Sequence, residues 1–66
     1  MSKDYRLSTI KVFNRFVSGR IAIDILDIKR IIELANGGAG LVMDTDMIIE
    51  VNEAFDKVVA LWENVK

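Results

Sequence analysis

The sequence predicts an all-α fold, with three helices in a single domain that covers residues 1–66. In three segments the apolar residues recur at steps of three and four, which is the spacing of one face of a helix. Between these segments lie glycine, asparagine and aspartate, which commonly end one helix or begin the next. The predicted helices span residues 4–18, 24–35 and 46–64.

The first predicted helix, residues 4–18, has a broad apolar face. At about 100° per residue, its apolar side chains fall within an arc of roughly 160°. Ser2 or Asp4 is suited to cap its start, because a short polar side chain accepts a hydrogen bond from a free N–H of the first turn. Gly19 is suited to end it in the left-handed conformation. The segment is typical of an amphipathic helix.

The second predicted helix, residues 24–35, begins at Asp24 as its N-cap and ends before Asn36-Gly37. Its apolar residues, together with one that precedes it, follow helical steps of four and three. They are Ile21, Ile25, Ile28, Ile32 and Ala35. The alternating apolar residues just before Asp24 also suit a short strand. A brief β pairing of residues 20–23 with residues 41–43 is therefore an open alternative.

The third predicted helix, residues 46–64, follows a glycine-rich hinge at residues 37–40 and two N-cap candidates, Asp44 and Asp46. Its apolar residues again recur at steps of three and four. They are Ile48, Val51, Phe55, Val58, Trp62 and Val65. Because the pattern is shorter than three heptads, it suits a core-facing helix of a bundle as well as a self-association seam.

The apolar surplus of the chain predicts a homodimer or a higher oligomer. Of the 66 residues 52% are apolar, yet a domain of about 60 residues buries only roughly 60% of the surface that its unfolded chain exposes. Cysteine is absent, so disulfides cannot supply stability, and association with a second chain is the remaining source. The predicted oligomer interface follows the third helix. Its residues are Met47, Ile48, Val51, Phe55, Val58, Leu61 and Trp62.

Composition also limits the chemistry. Without histidine and cysteine, the chain lacks the commonest general base near neutral pH, the thiolate nucleophile and the usual soft metal ligand. We therefore predict no enzymatic activity, no catalytic residue, no metal site and no cofactor. No apolar run approaches the roughly 20 residues that span a bilayer, and no secretory signal is apparent. A cytoplasmic protein that does not contact a membrane is expected.

The charges are distributed unevenly along the chain. Residues 1–30 carry seven basic and three acidic side chains, whereas residues 31–66 carry two basic and seven acidic ones. The basic residues of the N-terminal half form a candidate anion-binding set. They are Lys11, Arg15, Arg20, Lys29 and Arg30. A sequence pI of about 5.2 is low for a nucleic-acid-binding domain, which makes this set the basis of the second hypothesis.

These observations favour a small, non-catalytic, homo-oligomeric binding or regulatory protein that occupies the surface of a partner protein, as an adaptor or an inhibitor does. The partner-binding strip predicted for this role is Leu26, Arg30 and Leu34, in which both leucines lie outside the main stripe of the second predicted helix. The alternative is an oligomer that binds a nucleotide or a nucleic acid through its basic N-terminal half.

Overall fold

The computed structural model describes residues 9–17 and 19–65, and this part of the chain is mostly β. Its strands are β1 (Ile10–Asn14), β2 (Arg20–Asp24), β3 (Ile28–Glu33), β4 (Ala39–Met43) and β5 (Ile48–Val51). The helix α1 (Phe55–Val65) follows them, and a short 3₁₀ helix (Ile25–Asp27) joins β2 to β3. The predicted all-α fold of three helices is therefore wrong.

The strands form two antiparallel sheets that meet along β1 and β5. β1 pairs with β2 in one sheet, and β4 lies between β3 and β5 in the other. Beyond the end of β1, an antiparallel bridge between Arg15 and Val51 joins the sheets. Next to this bridge, the N–H of Phe16 donates to the carbonyl oxygen of Glu50 at 2.9 Å. The bridge holds both sheets around one core.

The core takes side chains from every strand and from both helical segments. Its buried members are Phe13, Ile23, Ile25, Ile28, Ala39, Leu41, Val51 and Val58. α1 packs against this cluster with Leu61, Trp62 and Val65. The indole N–H of Trp62 also donates to the carbonyl oxygen of Ile28 at 3.3 Å. The helix is thereby fixed against the beginning of β3.

The first predicted helix is wrong because its described part contains β1. Phe13 is 1% exposed while its neighbour Val12 is 57% exposed, which is the period of two of a strand with one buried face. The apolar arc is broad because it combines side chains from both faces of this strand. The predicted caps, Ser2 and Asp4, and residues 5–8 lie outside the described residues.

The second predicted helix, residues 24–35, is replaced by the 3₁₀ helix and β3. Asp24 is an N-cap, but of the 3₁₀ helix, where its carboxylate accepts the N–H of Leu26 at 3.1 Å. β-branched isoleucine loses side-chain freedom in an α-helix and packs well on a pleated sheet, which favours the strand. Residues 20–23 and 41–43 are both extended. However, β2 pairs with β1, and β4 pairs with β3 and β5, so the alternative pairing is wrong as well.

Residues that resemble helix boundaries form the hairpin turns of the three-stranded sheet. In the first turn, the N–H of Gly37 donates to the carbonyl oxygen of Leu34 at 2.9 Å, and Gly37 has a φ of 92°. In the second, the N–H of Asp46 donates to the carbonyl oxygen of Met43 at 2.8 Å, and Asp46 has a φ of 72°. Glycine and aspartate tolerate this left-handed conformation. The predicted hinge at residues 37–40 therefore comprises the end of a turn, at Gly37, and the first residues of β4, Ala39 and Gly40.

Only the C-terminal part of the third predicted helix, residues 46–64, is helical. Ile48–Val51 form β5, and α1 begins at Phe55. Val51 in the strand and Val58 in the helix are both fully buried. A spacing that resembles one continuous helix thus arises from two different elements that pack on the same core.

Glu53 ties the loop before α1 to the end of β1. Its carboxylate accepts the backbone N–H of Asn14 at 3.1 Å and the side-chain amide of the same residue at 2.9 Å. We expect Glu53→Ala to lower the free energy of unfolding by about 1 kcal/mol, the typical net contribution of a hydrogen bond. Urea unfolding followed by the fluorescence of Trp62 measures this loss. Glu63→Ala, at an exposed position of α1, is the control, and equal losses in the two variants would contradict the role of Glu53.

Candidate functional site

The middle strand of the three-stranded sheet is buried on both of its faces. Ala39 and Leu41 belong to the core, so by alternation Gly40 and Val42 point to the opposite face of the sheet. Both residues are nevertheless buried. An antiparallel sheet at the surface of a domain usually carries polar residues on its outward face. β4 carries none there, which makes this face unusual.

Two rows of side chains cross this face. Cross-strand neighbours point to the same side of a sheet. In the first row, Val42 lies between Arg30 of β3 and Ile48 of β5. Ile48 is 55% exposed, and Arg30 is exposed as well. The row therefore has a basic residue at one end and an apolar residue at the other.

In the second row, Gly40 lies between Ile32 of β3 and Glu50 of β5, and Phe16 continues the row beyond Glu50 through its backbone hydrogen bond. A Cβ atom on Gly40 would lie 2.9 Å from Cγ1 of Ile32 and 3.5 Å from Cδ2 of Leu34. Both side chains therefore lie over the glycine. Ile32 is 42% exposed and Phe16 is 50% exposed.

We call this surface the outer face. Its members are Phe16, Arg30, Ile32, Leu34, Gly40, Val42, Ile48 and Glu50. At its edge, Phe16 and Leu34 line a shallow hollow of about 300 Å³. Exposed apolar side chains that lie together on one surface commonly mark an interface. The outer face is therefore the candidate interaction surface of this protein.

Two opposite charges lie at diagonal corners of the outer face. Arg30 is at the β3 end of the first row, and Glu50 is on β5 in the second row. Among the residues that the structure describes, neither Arg30 nor Glu50 has an ion-pair partner. The ion pair found there joins Lys29 to Asp46. The side chains of Arg30 and Glu50 are exposed and therefore accessible to a partner.

A second depression lies between the β1–β2 hairpin and β5. The half-buried side chains of Ile21 and Ile49 line it, together with the exposed side chains of Val17 and Met47. Its volume is about 560 Å³, and Arg15 and Glu50 are its charged lining residues. This depression is largely apolar, and it borders the outer face at Ile48.

The residues of the predicted oligomer interface do not lie on one surface. Val51 and Val58 are fully buried within the chain, and Phe55, Leu61 and Trp62 of α1 are half-buried. Met47 and Ile48 are 62% and 55% exposed. Of the predicted set, these last two are the residues that a second molecule can reach most readily, and Ile48 belongs to the outer face.

The predicted partner strip is divided between two elements. Leu26 lies on the 3₁₀ helix and is 52% exposed, whereas Arg30 lies on β3 and Leu34 directly follows it. Residues four apart share a face of an α-helix, but residues 26–34 do not form an α-helix, so Leu26 is not aligned with the other two. On a strand an even step also keeps the same face, so Arg30 and Leu34 both remain on the outer face.

The basic residues of the N-terminal half are spread over the fold. Lys11 and Arg15 alternate onto one side of the β1–β2 hairpin, while Arg20 pairs with Asn14 and points to the other side. Lys29 is paired with Asp46, and Arg30 lies on the other sheet. No described feature of the structure gathers these side chains, so anion binding stays a prediction.

The sequence did not predict that five residues of the outer face lie next to one another. They are Phe16, Ile32, Gly40, Val42 and Glu50. Their contacts depend on strand register, which joins residues far apart in the chain. The usable signal is local: Gly37 and Asp46 end three-residue loops, and each loop fixes the register of its hairpin.

No protein-family model, no curated protein and no solved structure matches this chain. In the described part, no helix combines the length and the apolar composition needed to cross a bilayer. No three acidic side chains among residues 9–17 and 19–65 are placed to hold a metal ion. The function is therefore inferred from the surfaces of the chain itself.

Proposed function

We propose that this chain is a small, non-catalytic, cytoplasmic protein that self-associates and acts by binding other protein molecules through its outer face. The observation that carries the proposal is the exposure of Phe16, Ile32 and Ile48 on a sheet face where polar residues are usual. Fully burying one such side chain is worth about 1.5 to 3 kcal/mol. Covering the exposed parts of three of them contributes on the order of 3 kcal/mol from each molecule.

The shape of the outer face supports a protein partner. Gly40 leaves room for Ile32 to lie over β4, so the middle of the face has no projecting polar group. Ile32 and Ile48 lie on strands, which fix the backbone at both positions, so little backbone freedom is lost when they are covered. A broad apolar surface with charges at its margin is the usual composition of a protein interface.

A paired substitution tests this proposal. Ile32→Thr with Ile48→Thr keeps two β-branched residues in the strands but makes both exposed positions polar. We expect the dissociation constant for self-association, measured by sedimentation velocity over a concentration series, to rise at least tenfold, which corresponds to about 1.4 kcal/mol.

The matched control is Ile10→Thr with Val12→Thr. Both residues are exposed on β1, in the other sheet, and are not members of the outer face. This variant should self-associate as the unaltered chain does. The proposal is wrong if the unaltered chain sediments as a 7.5 kDa monomer at all concentrations, or if the two double variants behave alike.

A further inference from the structure

We infer that the outer face binds the outer face of a second copy across a two-fold axis, with Arg30 of each copy placed against Glu50 of the other. This inference rests on the proposed function and names the partner of that same surface. A two-fold interface presents the same patch on both molecules, so the patch must be complementary to itself. The outer face meets this requirement in its charges and in its apolar centre.

The charges are complementary because of where the strands place them. Arg30 and Glu50 are separated by two strand spacings across the sheet and by one two-residue step along it. With strands about 4.8 Å apart and a rise of about 3.4 Å per residue, their Cα atoms are roughly 12 Å apart. Within one molecule the two residues are thus on different strands at opposite corners, and no ion pair joins them.

The other diagonal of the same surface is apolar. Ile32 and Ile48 occupy its two ends, and Val42 and Gly40 lie between the four corners. A two-fold axis along the line from Ile32 to Ile48 brings the apolar corners of the two copies together. The same rotation exchanges the two charged corners, so that each arginine approaches the glutamate of the opposite copy. The strands then cross at a steep angle, close to the orthogonal class of sheet packing.

This arrangement explains why both charges border an apolar patch without an ion-pair partner among the described residues. Arginine and a carboxylate form a strong, charge-assisted pair. Two symmetry-related pairs at the margin would fix the orientation of two otherwise smooth apolar surfaces, which is the usual contribution of charge complementarity at an interface. Ile32 and Leu34 lie over Gly40, so the apolar surface continues across the middle strand.

Charge reversal tests the pairing directly. In a homodimer of Arg30→Glu, the introduced glutamate of each copy would face Glu50 of the other. In a homodimer of Glu50→Arg, the introduced arginine of each copy would face Arg30 of the other. We expect each single variant to dimerise at least tenfold more weakly than the unaltered chain in sedimentation velocity at low salt. In an equimolar mixture of the two variants, both contacts of the heterodimer join opposite charges, so native mass spectrometry should detect a heterodimer at concentrations where each variant alone is monomeric.

Two charge controls separate this contact from net charge. Lys57→Glu and Glu63→Lys make the same kinds of change at exposed positions of α1, away from the outer face, and should leave dimerisation unchanged. Circular dichroism verifies that every variant is folded. The double variant Arg30→Glu with Glu50→Arg should dimerise as the unaltered chain does, because both pairs are restored in reversed order.

The outcomes distinguish this inference from the proposed function. If the charge variants dimerise normally while Ile32→Thr with Ile48→Thr does not, the outer face self-associates in another orientation and the inference is overturned. The inference also fails if the mixture forms no heterodimer. If the unaltered chain is monomeric at all concentrations, both the inference and the proposed function fall.

Discussion

Replacing Gly38 with alanine is expected to lower the free energy of unfolding by about 3 kcal/mol or more, the upper range for overpacking of a well-packed site. A Cβ atom at this position would lie 2.4 Å from the backbone carbonyl oxygen of Val51. Val51 is fully buried and pairs with Ala39, so neither strand can move away without opening the sheet. A domain of this length has a total stability of roughly 3 to 10 kcal/mol. The loss is therefore a large share of the total stability, and at the lower end of this range much of the variant is unfolded without denaturant.

Gly37→Ala is the matched control for this prediction. Apart from Gly37 and its two chain neighbours, no heavy atom of the described residues lies within 4 Å of the position that a Cβ would take on Gly37, but the residue has a φ of 92°. The substitution therefore costs backbone strain alone, about 1 to 2 kcal/mol. Urea unfolding of the two variants separates a steric clash from conformational strain. If Gly38→Ala costs no more than Gly37→Ala, Gly38 does not lie as close to the backbone of Val51 as described.

The sequence predicted part of the core but not its architecture. Of the eleven apolar residues in the stripes of the second and third predicted helices, four are buried in the structure: Ile25, Ile28, Val51 and Val58. The predicted elements are wrong because broad helical arcs also accommodate alternating strands. The stronger local signal was composition: nine isoleucines and seven valines give the chain a high β propensity.

The hairpin turns show why local signals were insufficient. Asn36-Gly37 ends a helix as readily as it forms a turn, and Asp44 and Asp46 cap a helix as readily as they close a hairpin. Only the direction of the chain after the turn separates these outcomes, and tertiary packing decides that direction. A three-residue hairpin loop predicts a strand on each side of it.

Only part of the candidate site could be predicted from the sequence. Ile48, Arg30 and Leu34 were identified as surface residues, although for reasons that assumed helices. Their relation to Phe16 and Glu50 requires the pairing of β1, β3, β4 and β5, which joins residues more than thirty positions apart. Contacts of this kind depend on register, and register is set by the complete sheet.

Replacing Phe13 with alanine should also cause a large loss in the free energy of unfolding. The same substitution tests the fold itself. Phe13 is 1% exposed, and truncation of a buried phenylalanine typically costs about 3 to 5 kcal/mol. That loss is comparable to the whole stability expected for a domain of this size. If the alanine variant is unfolded throughout, Phe13→Leu supplies a measurable intermediate loss.

Phe16→Ala is the comparison that makes this result decisive. In an α-helix, residues three apart share a face, so Phe13 and Phe16 would be buried together and their truncations would cost similar amounts. In the structure they lie on opposite sides of the sheet, and Phe16 is 50% exposed on the outer face. We therefore expect Phe16→Ala to cost about 1 kcal/mol or less in urea unfolding of the monomer. Its larger effect should be weaker self-association, because Phe16 contributes exposed apolar area to the interface proposed here. Equal losses of stability in the two variants would contradict the placement of these residues on opposite faces.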